Sequence, residues 1–417
     1  MTTNIAVALL GTLVFAGLIQ GVAVALFLRL IGRGYRLPPN ILQRFPKAGV
    51  VLSLRGRDAF LRECLQGLLD QDYPDYTVQI VVDSVNDPAW HAVAQVVEEL
   101  SAKHVQVAPL KVRRPTCSLK CSSLIQAVSE LDDAREVLAF IDADVIPHRT
   151  WLRELVAPLA DERIGATTGM RWYMPGTRLA GSVVRCAWSV AAIVQMYIFD
   201  VAWGGTLAVR TSTLREGKLV EQWARSFNDD ILVGHMVSKA GLRLQFVPSL
   251  IMVNREECRL VDFRAFVTRQ LLHTRFYHRR WPELGGASLF LTLLLPTACL
   301  FALGSLLAGD GVAAGLAASG LVAYFVILTI LYPLLERSLR REVLRRGEAT
   351  QRMGFRRLWA VSLAQLVHCV GFVPALFRRT VCWRGVTYRI NDKWNVEMLD
   401  DDPYVAAKSS TDVTVSV

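Results

Sequence analysis

The apolar positions of this 417-residue chain fall into long uninterrupted blocks at its two ends and into short periodic runs between them. Residues 4–28 carry no charged side chain, and Arg29 ends the run. At roughly 1.5 Å per helical residue, such a run is long enough to span the ~30 Å hydrocarbon core of a bilayer. A cleaved signal peptide would carry its positive charge before the apolar run, whereas here the arginines follow it. We therefore predict an N-terminal transmembrane helix over residues 1–32.

Three more apolar runs lie in the C-terminal third of the chain. Two of them are separated by a Gly-Asp dipeptide, which predicts a transmembrane hairpin over residues 285–335. A basic cytoplasmic linker is expected at 336–357. The last run, at 358–378, contains a glycine and a proline, so two interpretations stay open: it crosses the membrane completely, or it is a broken, re-entrant segment. A C-terminal tail over 379–417 follows, and we predict that its polar end at 399–417 is disordered.

Residues 33–284 have the composition of a globular domain, and their pattern alternates between strands and helices. Short β-rich runs separate segments with helical periodicity, at residues 49–54, 77–82, 105–109 and 137–141. Repeated β-α-β order predicts an α/β fold with a mostly parallel sheet, flanked by helices and embedded between the transmembrane helices. A further apolar stretch at 181–199 is interrupted by an arginine and a glutamine. It predicts an amphipathic helix that lies at the membrane surface or packs on the domain.

Basic residues exceed acidic ones by 47 to 37, and much of the excess flanks the apolar blocks. After the first block these residues are Arg29, Arg33, Arg36, Arg44 and Lys47. Lysine and arginine beside membrane spans mark the cytoplasmic side. We therefore predict a multi-pass integral membrane protein, of the inner membrane in a bacterium, with its globular domain in the cytoplasm. Nucleic-acid binding is not favoured, because it would need basic residues clustered on the globular part with a recognition motif.

Acidic side chains stand at the ends of two predicted strands. Asp83 follows the run at 77–82, and Asp142 and Asp144 follow the run at 137–141. Ligands of open parallel sheets bind beyond the carboxyl ends of the strands. Clustered carboxylates repel each other, and Mg²⁺ or Mn²⁺ bound by one or two carboxylates together with diphosphate oxygens would relieve that repulsion. The pattern predicts a divalent-metal site at Asp142 and Asp144.

A third acidic site, Asp229-Asp230, comes just before a segment with helical periodicity. Asp229 or the asparagine before it can cap that helix, which leaves Asp230 available as a general base. Upstream, Trp203 is followed by Gly204-Gly205, where the backbone either approaches another group closely or simply turns. Residues 269–281 then carry cations, histidines and aromatic side chains. Aromatic and cationic belts are frequent at membrane interfaces, but this stretch has more hydrogen-bonding side chains than membrane anchoring requires.

Taken in order, these motifs resemble family-2 glycosyltransferases of the GT-A fold, the nucleotide-diphospho-sugar transferase fold, and most closely the ceramide glucosyltransferase-like branch. The resemblance covers about residues 40–285 and extends to the flanking spans. It rests on Arg55-Gly56-Arg57-Asp58, Gln71-Asp72-Tyr73-Pro74, Val82-Asp83-Ser84 with Asp87, Ser118-Leu119-Lys120, Asp142-x-Asp144, Trp203-Gly204-Gly205-Thr206, Asp229-Asp230 and the Arg/Gln-rich stretch.

The resemblance implies a role for each of these residues. Asp83 looks like the carboxylate that binds the uracil or ribose of a UDP-sugar, and Lys120 looks like the basic residue beside the nucleotide. Asp142 and Asp144 look like the pair that binds Mg²⁺ or Mn²⁺, with Asp144 as the direct ligand. The catalytic pair of the family corresponds to Asp229 and Asp230, with Asp230 as the base, and the acceptor side corresponds to Trp203, Gly204 and Gly205.

The last motif of the family is Gln or Arg, two further residues and then Arg-Trp, and this chain departs from it. Starting at Arg269 keeps only the first position, whereas starting eight residues later keeps only the final pair, which ends at Trp281. We favour the start at Arg269, because Gln270 and Arg275 add donors beside it. The expected donor-binding side chains of this stretch are Arg269, Gln270, Arg275 and Trp281.

The implied function is the inverting transfer of a single hexose from a UDP-sugar to a membrane lipid alcohol, such as a ceramide-like lipid, diacylglycerol or a hopanoid. A processive polysaccharide synthase of the same family is the alternative, although it would need a translocation channel, more spans and an intact last motif. The alternative from another class is a non-catalytic receptor or transporter subunit with a nucleotide-binding domain, but the chain has no Gly-x-x-x-x-Gly-Lys loop. For Cys382-Trp383-Arg384-Gly385-x-x-Tyr388 two interpretations stay open, a functional cap on the site or a surface turn.

Overall fold

The computed structural model describes residues 1–33, 45–174 and 179–401. Arg36 and Arg44, which we expected on the cytoplasmic side of the first span, lie outside the described residues. The same is true of 402–417, most of the segment for which disorder was predicted.

Two sheets and thirteen α-helices make up the described chain. The strands are β1 (Ala48–Leu54), β2 (Tyr76–Val82), β3 (Val105–Pro109), β4 (Val137–Ile141), β5 (Ile164–Tyr173), β6 (Thr206–Arg210), β7 (Arg243–Asn254), β8 (Thr380–Trp383), β9 (Val386–Asp392) and β10 (Asn395–Asp400). The helices are α1 (Thr2–Arg33), α2 (Leu61–Leu69), α3 (Pro88–Glu99), α4 (Leu119–Glu130), α5 (Trp151–Val156), α6 (Ala180–Ile198), α7 (Thr211–Glu216), α8 (Leu219–Trp223), α9 (Asp230–Lys239), α10 (Leu260–Tyr277), α11 (Trp281–Leu307), α12 (Gly311–Arg345) and α13 (Trp359–Phe377).

The large sheet has the strand order β3-β2-β1-β4-β6-β5-β7. Its pairs are parallel except those that β6 makes with β4 and β5. The prediction of a mostly parallel sheet flanked by helices is therefore confirmed, and the antiparallel β6 is the feature that the sequence did not reveal. Helix α3 begins at Pro88, because Asp87 caps it by accepting from the N–H of Ala89 and proline suits the first helical position.

Five of the described helices are long and apolar enough to cross a membrane, namely α1, α6, α11, α12 and α13. Helix α1 packs along α12, and Gly320 makes the close approach possible, because a Cβ there would come within 2.9 Å of the Cα of Leu10. The turn between α11 and α12 lies beside the N-terminus, where the hydroxyl of Thr2 donates to Asp310 at 2.7 Å. This proximity is what the predicted topology requires, in which the N-terminus and the tip of the hairpin lie on the same side.

Helix α6, which we predicted to be amphipathic, packs on β5 of the large sheet and on α10 and α13. Its Arg185 is buried, donates to the carbonyl of Glu256 and lies over the ring of Tyr173, 4.0 Å from the centroid. A buried cation needs such partners, since leaving it unpaired in an apolar core is costly. The helix thus joins the globular domain to the apolar helices.

Residues 359–377 form one continuous helix, α13, with Pro374 in its last turn. It crosses α10 closely at Gly371, where a Cβ would lie 3.0 Å from Val267. The break that one of our two interpretations placed within 358–378 is absent from this described segment. A full crossing of the bilayer stays a prediction.

The segment that we treated as a C-terminal tail contains a three-stranded antiparallel sheet in the order β10-β9-β8. Alternate residues of β9 are buried, among them Val386, Tyr388 and Ile390. This period-2 pattern is typical of a strand with one covered face. The small sheet packs on the globular domain, where the phenol of Tyr388 accepts from the N–H of Leu119 at 3.1 Å.

Candidate active site

Five chain segments meet at one edge of the large sheet. The parallel strands β1, β2 and β4 are neighbours and end together, so Arg55, Asp83 and Asp142, which directly follow them, come to the same edge. Because β6 runs in the opposite direction, its first residue pairs with the last residue of β4, and Trp203 just before it reaches that edge too. The end of β5 adds Arg171.

These segments surround a cavity, which we call the first cavity. It brings together most of the side chains that the sequence assigned to the site, namely Asp83, Lys120, Asp142, Asp144, Trp203, Asp229, Asp230, Arg269 and Gln270. Gly204 and Gly205 are not part of its lining, but they directly follow Trp203, which is. A Cβ at Gly204 would lie 2.8 Å from the carboxylate of Asp229 and 3.2 Å from the ammonium of Lys120, so a larger residue there would displace these side chains. The structure therefore shows the close backbone approach rather than a simple turn.

Lys120 links two groups of carboxylates in the first cavity. Its ammonium lies 2.8 Å from Asp142 and 3.0 Å from Asp229. Burial alone would lower the pKa of Lys120, but Asp142, Asp229 and Asp230 outweigh burial and raise it. Burial raises the pKa of Asp229 to about 6, Lys120 opposes this shift, and the charges of Asp230 and Asp142 add to it. Asp142 has a lowered pKa, because the ion pair with Lys120 outweighs its burial.

Asp144 faces the same cavity from the end of β4. Its Oδ2 atom accepts from Arg171 at 2.6 Å and from the amide of Asn254 at 3.2 Å. Nearby, burial raises the pKa of Asp58, and although Arg384 opposes this shift, the charges of Asp144 and Asp142 add to it. The cavity thus concentrates negative charge around Asp142 and Asp144.

The donor set fits a divalent metal that is bound in part by a ligand. Among the described residues, no group of three or more His, Cys, Asp and Glu side chains is arranged to hold a metal ion by itself. Mg²⁺ and Mn²⁺ are hard cations, and sites for them commonly combine one or two carboxylates with phosphate oxygens. Asp142 and Asp144, which both line the cavity, can supply the protein part of such a site.

The carboxylate of Asp230 is held at the start of α9. Its Oδ1 atom accepts from the side-chain amide of Asn228 at 2.9 Å and from the N–H of Ile231 at 2.7 Å. Its Oδ2 atom accepts from the N–H of Gly204 at 2.8 Å. The side-chain oxygen of Asn228 accepts from the same N–H of Ile231 at 2.9 Å, so Asn228 and the Oδ1 atom of Asp230 share the cap of α9. The Oδ2 atom of Asp230 takes no part in this cap.

Arg269 and His273, one turn apart on α10, face the cavity from the side of the apolar helices. The Nε and Nη1 atoms of Arg269 are buried without a hydrogen-bond partner among the described residues. Burial lowers the pKa of Arg269 to about 10, so the side chain is still a cation at neutral pH. A buried, unneutralised guanidinium in a cavity calls for an anion. Burial also lowers the pKa of His273 to about 3, which makes it neutral at physiological pH.

Asp83 lies at the opposite end of the cavity. Two arginines hold its carboxylate, with Arg55 at 2.5 Å and Arg113 at 2.8 Å. Arg113 also pairs with Asp401 at 2.6 Å, so it connects this end of the site to the C-terminal sheet.

Two of the predicted donor-binding side chains are not brought to the first cavity. Arg275 donates to main-chain carbonyls at the end of α13, those of Ala375, Leu376 and Arg378. A cation is favourable there, because the C-terminus of a helix carries partial negative charge. Trp281 stacks on Phe372 with the ring centroids 6.0 Å apart. Both residues join α10 and α11 to α13, which accounts for their positions without a ligand.

The structure adds residues to the site that the sequence did not assign to it. Arg171 binds Asp144, and Trp383, Arg384 and Tyr388 line the first cavity from the C-terminal sheet. Of these, Trp383, Arg384 and Tyr388 belong to the run Cys382-Trp383-Arg384-Gly385-x-x-Tyr388, for which the sequence left a cap on the site open, whereas Arg171 carried no signal. This run is a cap on the site rather than a turn remote from it.

A second cavity adjoins the first and shares Arg171, Trp203, Asp230, Gln270 and His273 with it. Away from the strand ends the second cavity is lined by α6 and α10 and by Leu284 and His368.

A third cavity lies among α1, α6, α11, α12 and α13, and its wall is mostly apolar. It shares Trp188, Ala192, Gln195, Leu284 and His368 with the second. The three cavities therefore adjoin one another in a series from the sheet edge to the apolar helices.

Comparison with solved structures supports the fold. A mannosyltransferase from Pyrobaculum calidifontis, solved with GDP-Man and Mn²⁺, is similar over 88% of this chain and 99% of its own, with 19% identity and a TM-score of 0.54. A glucosyl-3-phosphoglycerate synthase from Mycobacterium tuberculosis matches 55% of this chain and 79% of its own, with 16% identity and a TM-score of 0.38. The first of these likenesses identifies the fold as GT-A.

Comparison of the sequence identifies the family. No curated protein matches the chain. The sequence profile of glycosyl transferase family 21 matches residues 13–396, which include the N-terminal helix, the sheet, the apolar helices and most of the C-terminal sheet. Our resemblance named family 2 rather than family 21, but its ceramide glucosyltransferase-like branch is consistent with this match. The chain belongs to glycosyl transferase family 21.

Proposed function

We propose that this glycosyltransferase moves a single hexose from a UDP-sugar to the hydroxyl group of a membrane lipid, with inversion at the anomeric carbon. The observation that carries the proposal is the position of Asp230, which lines both the first and the second cavity. A donor in the first cavity and an acceptor hydroxyl in the second would meet at this carboxylate.

Asp230 is the general base in this proposal. Its Oδ1 atom already accepts two hydrogen bonds from described residues, whereas Oδ2 accepts one, from Gly204. Since a carboxylate oxygen has two lone pairs, Oδ2 is the atom that takes the proton of the attacking hydroxyl. One base without a covalent nucleophile gives a single displacement, so an α-linked donor yields a β-glycoside.

The leaving diphosphate needs positive charge around it. Arg269 supplies a guanidinium whose buried N–H groups have no partner among the described side chains and main chain. Mg²⁺ or Mn²⁺ bound by Asp142 and Asp144 with the diphosphate oxygens would supply the further charge that stabilises the leaving group. The Mn²⁺ and GDP-Man in the related mannosyltransferase support a metal and a nucleotide-sugar donor here.

The acceptor side favours a lipid. The second cavity continues into the third, which lies among five helices that are long and apolar enough to cross a membrane. A lipid alcohol can place its hydroxyl at Asp230 while its chains occupy the apolar third cavity. The basic residues that flank the spans support a cytoplasmic catalytic domain, where UDP-sugars are made. A ceramide-like lipid, diacylglycerol and a hopanoid all meet this description.

The first test replaces the base. Asp230→Asn should lower kcat by roughly 10²- to 10⁴-fold, the usual contribution of a positioned general base, and leave UDP affinity nearly unchanged. Asp133→Asn is the matched control, since that carboxylate is almost fully exposed and pairs with Arg215 at the surface. Near-normal turnover by the Asp230→Asn variant would exclude this residue as the base.

The second test identifies the product. The protein is expressed in a host that lacks glycolipids, and the lipid extract is analysed by mass spectrometry. A new lipid that carries one hexose supports the proposal. A polymeric product would favour the processive synthase, and no new glycoconjugate with any nucleotide sugar would favour the non-catalytic alternative.

A further inference from the structure

The turn between β8 and β9 has an unusual conformation. Both Arg384 and Gly385 have positive φ angles, 48° and 78°. Two such residues in a row form the type I′ turn that suits a two-residue hairpin. Glycine adopts this conformation freely, but an arginine does so at a cost. The cost requires compensation from the contacts of the side chain or of the surrounding chain.

Those contacts lie inside the first cavity. The Nη2 atom of Arg384 lies 2.9 Å from both carboxylate oxygens of Asp58, and Nη1 donates to the carbonyl of Arg55 at 2.7 Å. In return, Nε of Arg55 donates to the carbonyl of Arg384 at 2.9 Å. These three bonds fix a guanidinium that has five N–H groups in all.

The surroundings of Arg384 match the needs of a diphosphate. Arg384 lines the first cavity together with Asp58, Asp142 and Asp144. Burial alone would lower the pKa of Arg384, but the charges of these three carboxylates raise it. Trp383, the residue before Arg384, lies against Arg269, whose guanidinium is 5.8 Å from the centre of the indole ring. The hairpin therefore places one cation and one aromatic ring beside the unpaired cation of α10.

The hairpin is anchored to the loops around the donor site. The phenol of Tyr388 accepts from the N–H of Leu119, the residue before Lys120. The N–H of Met398 on β10 donates to the carbonyl of Pro115 at 2.8 Å. These bonds hold the small sheet in one position over the cavity, so Arg384 is presented by a fixed element rather than by a loose tail.

We propose that the C-terminal hairpin carries a diphosphate-binding site, in which Arg384 donates to the diphosphate of a nucleoside-diphosphate donor opposite Arg269. Asp58 is a positioning residue that orients the guanidinium. This inference rests on the proposed function, because it takes a nucleotide sugar as the ligand of the first cavity. It places one of the phosphate-binding groups about a hundred residues beyond the stretch 269–281 in which the sequence led us to look for all of them.

The test measures binding rather than turnover. UDP and uridine are titrated, in the presence of Mg²⁺, into the detergent-solubilised full chain, and the ratio of the two affinities is compared between variants. Arg384→Gln should weaken UDP binding by roughly 10- to 100-fold, the usual contribution of a charge-assisted hydrogen bond, and leave uridine binding nearly unchanged. Asp58→Asn should give a smaller loss of the same kind. Arg389→Gln is the matched control, since Arg389 on β9 pairs with the exposed Glu397 at 3.1 Å, outside the cavity.

Each result decides the question. Equal loss of UDP and uridine binding in Arg384→Gln would overturn the inference in favour of a structural role, and so would unchanged UDP binding. If Arg384→Gln does not fold, Arg384→Lys is used instead, because lysine keeps the charge beside Asp58 but loses the fork of N–H groups. If the wild-type protein itself binds no UDP in this titration, the proposed function is overturned, because it takes a UDP-sugar as the donor. Loss of UDP binding in Arg384→Gln alone does not overturn it.

Discussion

Lys120 stands between Asp142, a proposed metal ligand, and Asp229, the neighbour of the proposed base. The ammonium of Lys120 therefore couples the proposed metal site to the neighbour of the proposed base. The charge of Asp229 determines how strongly Lys120 is attracted to Asp142. When Asp229 is protonated, Lys120 keeps Asp142 as its closest anionic partner and competes more strongly with a metal for that carboxylate.

We expect this coupling to appear in the pH dependence of catalysis. Because the pKa of Asp229 is raised to about 6, the group takes up a proton as the pH falls through 6, whereas an ordinary aspartate would do so near 4. The value of kcat/KM should therefore fall by about tenfold for each pH unit below 6. Measured between pH 5 and 8, Asp229→Asn should be slower than the wild type at neutral pH and should lack this decline. If the decline persists unchanged in Asp229→Asn, another group is responsible for it.

The residues that the sequence revealed are those whose position follows from strand order alone. Asp83, Asp142 and Asp144 come directly after strands, and the rule that parallel strands end at one edge was enough to bring them together. Arg171 and Arg384 could not be found in this way. Arg171 lies inside a strand whose direction depends on the antiparallel β6, and Arg384 reaches the cavity through a long-range contact between separate sheets.

At the scale of elements, the crossing of α10 and α13 connects the active site to the apolar helices. Arg269 and His273 lie on α10, so the angle of that helix determines where their side chains enter the first cavity. The hydropathy of 358–378 indicated an apolar segment but contained no information on its partner. The contact depends on the shape of two surfaces at Gly371 and Val267, which a one-dimensional pattern does not show.

A larger side chain at this crossing should separate the two helices. Gly371→Leu would place atoms where Val267 and Thr268 already lie, 3.0 and 3.3 Å from the position of the Cβ. Overpacking of this kind costs about 1–3 kcal/mol, so the Tm in detergent should fall and donor affinity should fall with it. Gly286→Leu on α11 is the matched control, because a Cβ there meets nothing within 4 Å and leucine favours helix more than glycine does. Equal Tm values for the two variants would contradict this account of the crossing.

At the scale of the whole molecule, the three cavities connect the edge of a sheet to a bundle of apolar helices. Composition and hydropathy predicted both parts and an amphipathic helix at 181–199, at the membrane surface or on the domain, but they did not indicate that this helix would line two cavities. Helix α6 lines the second cavity on the side of Asp230 and the third cavity among the apolar helices. A lipid that moves from the third cavity to the base must therefore pass along α6.

Ala192 of α6 lines the second and the third cavity, so it lies at their junction. Ala192→Trp should fill the junction and raise the KM for a long-chain lipid acceptor by at least about tenfold, since even part of a lost apolar site is worth more than 1.4 kcal/mol. The same variant should bind UDP as the wild type does and should still glycosylate a short, water-soluble alcohol, because Asp230 and the first cavity are unchanged. Ala318→Trp on α12 is the matched control, as that position is exposed and absent from the linings of the described cavities. If activity on the lipid and activity on the short alcohol fall equally, the substitution disturbs the catalytic site. If the KM for the lipid is unchanged, the acceptor reaches Asp230 by another route.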